Sequence, residues 1–297
     1  MLERTVYQSQ RDSRQVEAIA SVKAKLASGE YATESTVCFC GADNDKPLIE
    51  QDRLGIPHSI VICQECALVR VNPRMTGEAY DAFYNDEYRR FSYRWLDTDP
   101  LDHDHELALI REKQHGIGPL LHDRLFAEEI EFPATVLDFG CYLGGMLDYF
   151  KDNGAKTYGV ELNDEARRFA VANGHDVVKF LDALILREIK VDLVIMQDVV
   201  EHLLDLREIQ KISEVLKPGG YVYIFTPGMF RTDPNAYWQL AHTWYFVANT
   251  FGWMMEEMGF TPTYIDEDIT SFWQFQGQVA HTEPPTKEWV EYITDEA

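Results

Sequence analysis

The chain has 297 residues, enough to bury the core of one large domain or of one domain with a small appendage. A composition with 45% hydrophobic and 12% aromatic residues excludes a disordered protein. Twenty-seven Lys and Arg stand against 50 Asp and Glu, and the net charge of −23 opposes binding to nucleic-acid backbone or anionic membrane. The opening residues MLERTVYQSQRDSRQ have no apolar leader and no later stretch is long enough to span a bilayer, so a cytoplasmic protein without nucleic-acid or membrane partners is expected.

In chain order, residues 1–35 are expected to form an N-terminal helical segment. Within it, residues 14 to 27 place Val16, Ile19, Ala20 and Leu26 near one helical face, with Gly29 closing the helix. Residues 36–75 break into short strands and turns around Cys38, Cys40, Cys63 and Cys66; Cys141 is the fifth cysteine. Two close pairs in a reducing compartment point to metal ligands more than to disulfides. Cys63-Gln64-Glu65-Cys66 has the spacing of a zinc knuckle, whereas Cys38 and Cys40, two apart on a strand, would share a side but span it differently. The expectation is a tetrahedral structural zinc with all four as ligands, free thiols being the alternative, and His58 standing in if Cys40 points away.

Residues 76–133 form an aromatic and helical connecting segment, in which Tyr80, Phe83, Tyr84, Tyr88, Phe91, Tyr93 and Trp95 follow one another closely. Most such rings serve as core, and polar-tipped ones can also line a pocket. From residue 134 to 297, apolar strands (ATVLDF, KTYGVE, DVVKF, DLVIMQ, GYVYIFT) alternate with amphipathic helices at 144 to 153, 164 to 173 and 205 to 216. A helix and two hairpin strands follow. This alternation predicts an α/β fold, a doubly wound, Rossmann-like seven-stranded sheet with a small N-terminal zinc-binding module and a ligand site at the carboxyl ends of the strands.

VLDFGCYLGG, residues 136 to 145, opens that site. Tyr142 stands where a dinucleotide loop or a methyl-donor loop would carry glycine, so glycine counting alone does not choose between NAD and S-adenosylmethionine. Charge does: Asp138 lies beside the place of a pyrophosphate, which it repels, and attracts the ammonium and sulfonium groups of S-adenosylmethionine. Glu161, 23 positions on, can accept both ribose hydroxyls, and Asp182 after the third strand is placed for the adenine amino group. An NAD-dependent sugar epimerase or dehydrogenase is disfavoured by Asp138 and Tyr142 and by the lack of a Tyr-x-x-x-Lys pair in the expected place.

With these residues in view, the segment from 134 to 260 resembles class I S-adenosylmethionine-dependent methyltransferases: VLDFGCYLG, GVELND, FLDA, DLVIMQDVVEHL and LKPGGYVYIFTP are similar to their motifs in order. The resemblance implies cofactor contacts at Asp138, Gly140, Tyr142, Gly144, Glu161, Leu162, Asp182, Ala183 and Gln197. VCFCG, VICQECALVRVNPR and FYNDEY resemble the zinc-binding N-terminal module of methyltransferases acting on deoxysugars, nucleotide sugars or surface glycans. The first pair here is Cys-x-Cys where that family has Cys-x-x-Cys. The chain also ends without the further C-terminal domain of the deoxysugar C-methyltransferases, which tilts the expectation toward O-methylation.

Methyl transfer needs the acceptor aligned and its proton removed, and general-base help is worth roughly 10²- to 10⁴-fold. His202 after the fourth strand is the candidate base, with Glu201 or another acid orienting it; packing against the following helix is the alternative. In the resembling sugar C-methyltransferases this Glu-His pair and a tyrosine of the FY-x-x-x-Y segment surround the sugar, which implies Glu201, His202, Tyr84 and Tyr88 here. His242 is a candidate to face the acceptor from the other side, a hydrogen-bonding residue at a helix start being its simpler role, and Trp238 and Trp273 are candidates to offer flat faces to a sugar ring, with buried packing the simpler role for each Trp. The expected partner is a small-molecule or glycan acceptor. Another acceptor class, or a non-catalytic zinc-stapled binding protein, remains as an alternative.

Overall fold

A computed structural model of the chain describes residues 13–88, 103–230, 238–277, 283–285 and 287–296. Phe91, Tyr93 and Trp95 of the aromatic segment lie outside the described residues. Helix α1 (Ser13–Ser28) ends at Gly29, whose φ of 80° only glycine adopts freely. Its buried stripe is Ala18, Ile19 and Val22, with Leu26 partly covered, rather than the expected face. Val16 stands about 120° around the helix from Val22 and is half exposed, and Ala20 is exposed too.

Strands β1 (Thr33–Glu34) and β5 (Arg74–Met75) pair antiparallel. Between them, β2 (Asp45–Gln51), β3 (Pro57–Cys63) and β4 (Val69–Val71) form an antiparallel meander. The sheet is completed by a strand from far later in the chain, β11 (Trp244–Tyr245), which pairs Tyr245 with Val69 and Trp244 with Arg70. Helix α2 (Gly77–Asp86) follows, started by the Thr76 side chain, which accepts the N–H of Ala79. Tyr80 and Phe83 are buried from α2 against α1, and Tyr84 lies one helical step away.

Helices α3 (His103–His115) and α4 (Gly118–Ala127) lead into the main sheet. Its strands are β6 (Thr135–Phe139), β7 (Lys156–Val160), β8 (Asp176–Val178), β9 (Val191–Gln197), β10 (Leu216–Phe225), β12 (Phe260–Ile265) and β13 (Thr270–Phe275). The spatial order is β12-β13-β10-β9-β6-β7-β8, with β13 the antiparallel member between β10 and β12. This is the expected seven-stranded, doubly wound α/β sheet. The apolar runs of β6 and β9 are buried on both faces because helices cover both sides: Leu137, Val194 and Met196 pack in one core, Val136, Leu193 and Ile195 in another. The strand order reverses between β6 and β9, so the crevice at their carboxyl ends is the switch point where ligands bind in such sheets.

Helices α5 (Gly145–Asp152), α6 (Asp164–Ala172), α7 (Asp182–Leu186) and α8 (Ala248–Glu257) connect the strands. The helix expected at 205 to 216 is instead a 3₁₀ helix, Leu206–Glu214. Its buried residues Leu206, Ile209 and Ile212 recur at every third position, and three residues per turn aligns them along one edge where an α-helix would fan them out. A last helix, α9 (Lys287–Glu296), sets Val290 and Ile293 against Ile60, Ile62, Val69 and Tyr245 of the N-terminal sheet.

Candidate active site

The loop after β6 is shaped by backbone of positive φ at Gly140 (85°), Tyr142 (47°) and Gly144 (82°). Tyr142 therefore adopts the left-handed conformation that glycine supplies in related loops, at a cost of about 1–2 kcal/mol. Two contacts hold it there. Its N–H donates to Glu161 Oε2 at 2.9 Å, and its side chain packs against the cluster of Leu107, Leu143 and Ala166. The N–H groups of Gly140 and Cys141 both donate to Val160 O, which ties the loop to the end of β7.

The glycines divide their work. A Cβ on Gly140 would stand 2.7 Å from Val199 Cγ2, so that glycine lets the loop touch the segment after β9 across the switch point. Gly145 serves packing: a Cβ there would stand 2.1 Å from Arg111 O, the close approach that seats α3 on α5 beside the bidentate Arg111–Asp148 pair at 2.6 Å.

Asp138 and Glu161 lie at the ends of adjacent parallel strands, Asp138 buried and Glu161 half-buried with the Arg167 charge near enough to favour its ionised form. Burial, and then the nearby Glu161 charge, push Asp138 up to about 7. Burial raises Glu161 as well, although the backbone N–H groups of Asn163 and Tyr142 oppose the shift. Glu161 Oε1 accepts from Asn163 N–H at 2.6 Å and Oε2 from Tyr142 N–H at 2.9 Å, leaving each oxygen a lone pair for another donor. Beside this pair, Leu162 and Phe180 are 57% and 56% exposed at successive strand ends. Asp182 is exposed at the start of α7 with Ala183 next to it, and Gln197, ending β9, donates from Nε2 to Asp198 Oδ2 at 2.9 Å. Phe180 was missed in the sequence; its signal is an aromatic residue two positions before the acid of FLDA.

On the other side of the switch point, Tyr84, Tyr88, Glu201 and His202 come together as the sequence suggested. The Tyr84 and Tyr88 ring centroids are 4.6 Å apart, and both rings meet His202 edge-on, at 6.1 and 6.4 Å. His202 Nδ1 lies 2.9 Å from Ala241 O and 2.8 Å from the Tyr84 hydroxyl, which itself donates to Ala241 O at 3.2 Å. A ring nitrogen facing a carbonyl oxygen carries the hydrogen, so Nε2 holds the lone pair. The group orienting His202 is therefore the Ala241 carbonyl rather than an acid; Glu201 Oε1 lies 3.9 Å from Nε2 on the opposite side of the ring.

Glu201 is buried, and its other oxygen accepts from the Thr226 hydroxyl at 2.8 Å. Burial and then the Asp198 charge push Glu201 up to about 8, while burial pulls His202 down to about 4. His242 is buried with its ring 4.9 Å from that of His202. Trp238 and Trp273 are 4% and 0% exposed, packed against Tyr245 and Phe251 respectively, and present no open face.

The four N-terminal cysteines converge. Cys38 and Cys66 sulfurs are 3.5 Å apart, Cys40 and Cys63 sulfurs 3.6 Å, and all four lie within 4.8 Å of one another. A tetrahedral zinc with bonds of about 2.3 Å needs sulfurs about 3.8 Å apart, so the donor set fits such an ion. The Cys-x-Cys pair achieves this on a turn rather than on a strand: Gly41 N–H donates to Cys38 O at 2.8 Å with Gly41 at φ 89°. His58 is elsewhere, its Nε2 2.9 Å from the Tyr245 hydroxyl. The cluster is docked on the main sheet's core, with the Phe39 ring 5.8 Å from Trp253 and Phe39 O accepting from Arg207 at 2.9 Å.

Residues 109–265 match the model of a methyltransferase-domain family, and with more than half of the chain matched the protein belongs to that family. Among solved structures the chain is similar to a SAM-dependent methyltransferase from Archaeoglobus fulgidus, at 24% identity over 65% of this chain and 90% of that one, TM-score 0.41. It is also similar to an S-adenosylmethionine-dependent methyltransferase from Clostridium acetobutylicum, at 17% identity over 44% of this chain and 60% of that one, TM-score 0.37. A Pyrococcus horikoshii protein matches at 22% identity over 45% of this chain and 63% of that one, TM-score 0.34. The chain thus spans about three-fifths of the length of the last two. No curated protein matches it. Among the described residues, no helix is long and apolar enough to cross a membrane.

Proposed function

We propose that the protein transfers a methyl group from S-adenosylmethionine to a sugar, free, nucleotide-linked or in a surface glycan, with a hydroxyl oxygen favoured over carbon as the acceptor. The observation that carries this reading is the Asp138 and Glu161 pair at the ends of adjacent strands, a buried carboxyl beside a half-buried one whose two oxygens each keep a lone pair free. S-adenosylmethionine supplies an electrophilic methyl group on a cationic sulfur. Asp138 attracts its positive end, Glu161 accepts the ribose hydroxyls through the lone pairs its backbone contacts leave free, and the exposed faces of Leu162 and Phe180 cover the adenine. Asp182, Ala183 and Gln197 complete the rim, and Gly140, Tyr142 and Gly144 shape the loop around the methionine end.

Tyr84, Tyr88, Glu201 and His202 bind the acceptor and draw its proton away at the edge where the methyl group arrives. The paired tyrosine rings suit the apolar face of a sugar, and their hydroxyls its polar rim. Cys38, Cys40, Cys63 and Cys66 hold a structural zinc that keeps the N-terminal sheet docked. Incubation with methyl-labelled S-adenosylmethionine and a panel of nucleotide sugars and glycan termini, followed by mass spectrometry, tests the reading. A labelled sugar supports it; label on other small molecules alone removes the sugar, and no binding of S-adenosylhomocysteine removes the enzyme.

Asp138 also makes cofactor affinity depend on pH. Its carboxyl, raised to about 7 in the free protein, must be ionised to attract the ammonium group, so affinity is full above that value and declines below it. Titration calorimetry with S-adenosylhomocysteine at pH 8 and pH 6 is expected to show about tenfold weaker binding at the lower pH. Equal affinity at both would disconnect Asp138 from the ligand.

A further inference from the structure

Glu201, His202 and His242 each bring one potential ligand atom, a carboxylate oxygen or a ring nitrogen, within 4.8 Å of the other two. The outward-facing atoms are already held. His202 Nδ1–H is bound by Ala241 O at 2.9 Å, which aims Nε2 inward, and the second oxygen of Glu201 accepts from Thr226 at 2.8 Å. A hydrogen bond from the far ring nitrogen to a backbone carbonyl is the outer support that metal-ligating histidines carry. His242 directly follows Ala241, so one stretch of chain supplies both that support and the second imidazole.

Glu201 is buried, and among the described residues its ion-pair contact within 4.0 Å is His202. The His202 and His242 rings lie 4.9 Å apart beside it. An imidazole whose far nitrogen is held by a carbonyl aims its other nitrogen as a ligand, and a buried carboxyl group is well matched by a cation that meets it.

We propose that Glu201, His202 and His242 bind one divalent first-row transition-metal ion at the acceptor edge, separate from the ion of the cysteine cluster. Two imidazoles and one carboxylate are a donor set for such ions, and three protein ligands leave positions open. An acceptor hydroxyl held on an open position becomes more acidic, its proton leaving to water. The ion then takes the place that the free Nε2 of His202 would have as base. What the ion does rests on the methyltransferase reading; that it binds does not.

The test uses full-length protein carrying zinc on its cysteines, titrated with Mn²⁺, an ion that a thiolate site takes poorly. Loss of the free-ion paramagnetic resonance signal is expected to report one tight Mn²⁺ per chain, and spin-echo spectra to show imidazole nitrogen coupled to it. His242→Ala and Glu201→Gln are each expected to weaken binding more than about tenfold. The spin-echo result needs only the unmodified protein, so it stands even if a buried-site variant fails to fold. Absence of a stoichiometric ion, a bound ion without imidazole coupling, or unchanged affinity in a folded His242→Ala protein overturns the proposal. Calorimetry with S-adenosylhomocysteine alone separates the two readings: binding without Mn²⁺ affinity leaves the methyltransferase and removes the ion, and Mn²⁺ affinity without nucleoside binding does the reverse.

Discussion

Glu161→Ala abolishes measurable binding of S-adenosylhomocysteine in titration calorimetry, a loss of at least about 100-fold. Two charge-assisted hydrogen bonds to the ribose, at roughly 1.5–3 kcal/mol each, account for that much on their own. The loss goes further because the same carboxylate holds the N–H groups of Tyr142 and Asn163. Without it, Tyr142 has less to keep it in the left-handed conformation, and the loop of positive φ relaxes. Asp138→Asn separates binding from stability. The raised Asp138 carboxyl costs the folded protein nothing below its ordinary value near 4 and most above 7, where the buried charge is fully present. The amide removes that cost, so at pH 8 the variant melts higher by several degrees while its affinity for S-adenosylhomocysteine falls. A variant that melts lower and binds normally would move the cofactor elsewhere.

Cys63→Ser is the second large effect. Loss of a metal belongs to the tail of single substitutions that cost about 4 kcal/mol or more, which for a chain of this size lowers the melting temperature by about 10 °C. Scanning calorimetry with elemental analysis checks it: zinc content drops from one per chain toward none, and a chelator brings the unmodified protein to the same melting point. Cys63 is fully buried at the end of β3, and the cluster packs on Trp253, so the loss loosens the docking of the whole N-terminal sheet. Cys40 is exposed, and Cys40→Ser is milder. A Cys63→Ser protein with unchanged melting and no zinc in either form would leave the cluster as four thiols.

The main sheet was legible because its strands are apolar runs of the right length, and parallel strands buried on both faces are written that way. Asp138 and Glu161 were legible for a related reason: carboxylates directly after such runs must lie at the strand ends. Tyr84 and Tyr88 were placed beside Glu201 and His202 through family resemblance, since more than 100 residues separate them and no local pattern joins them. Other features left weaker traces. Strand β11 is two residues long, too short for any alternation, and Phe180 reads as an ordinary strand residue until its exposure is seen. The orientation of His202 by Ala241 is a backbone contact, which side-chain chemistry does not announce. The 3₁₀ helix did leave a trace, the strict three-residue spacing of Leu206, Ile209 and Ile212, which overlaps closely with an amphipathic α-helical pattern.

The pairing of β4 with β11 also fixes an order of assembly. The two strands are separated by more than 170 residues, with most of the main sheet between them. During synthesis the meander β2–β4 emerges early, yet the β4 edge stays unpaired until the ribosome has passed Tyr245, and an unpaired edge is the place where chains join wrongly. A metal on the cysteines at that stage would hold the half-built meander in shape while its last strand is still being made.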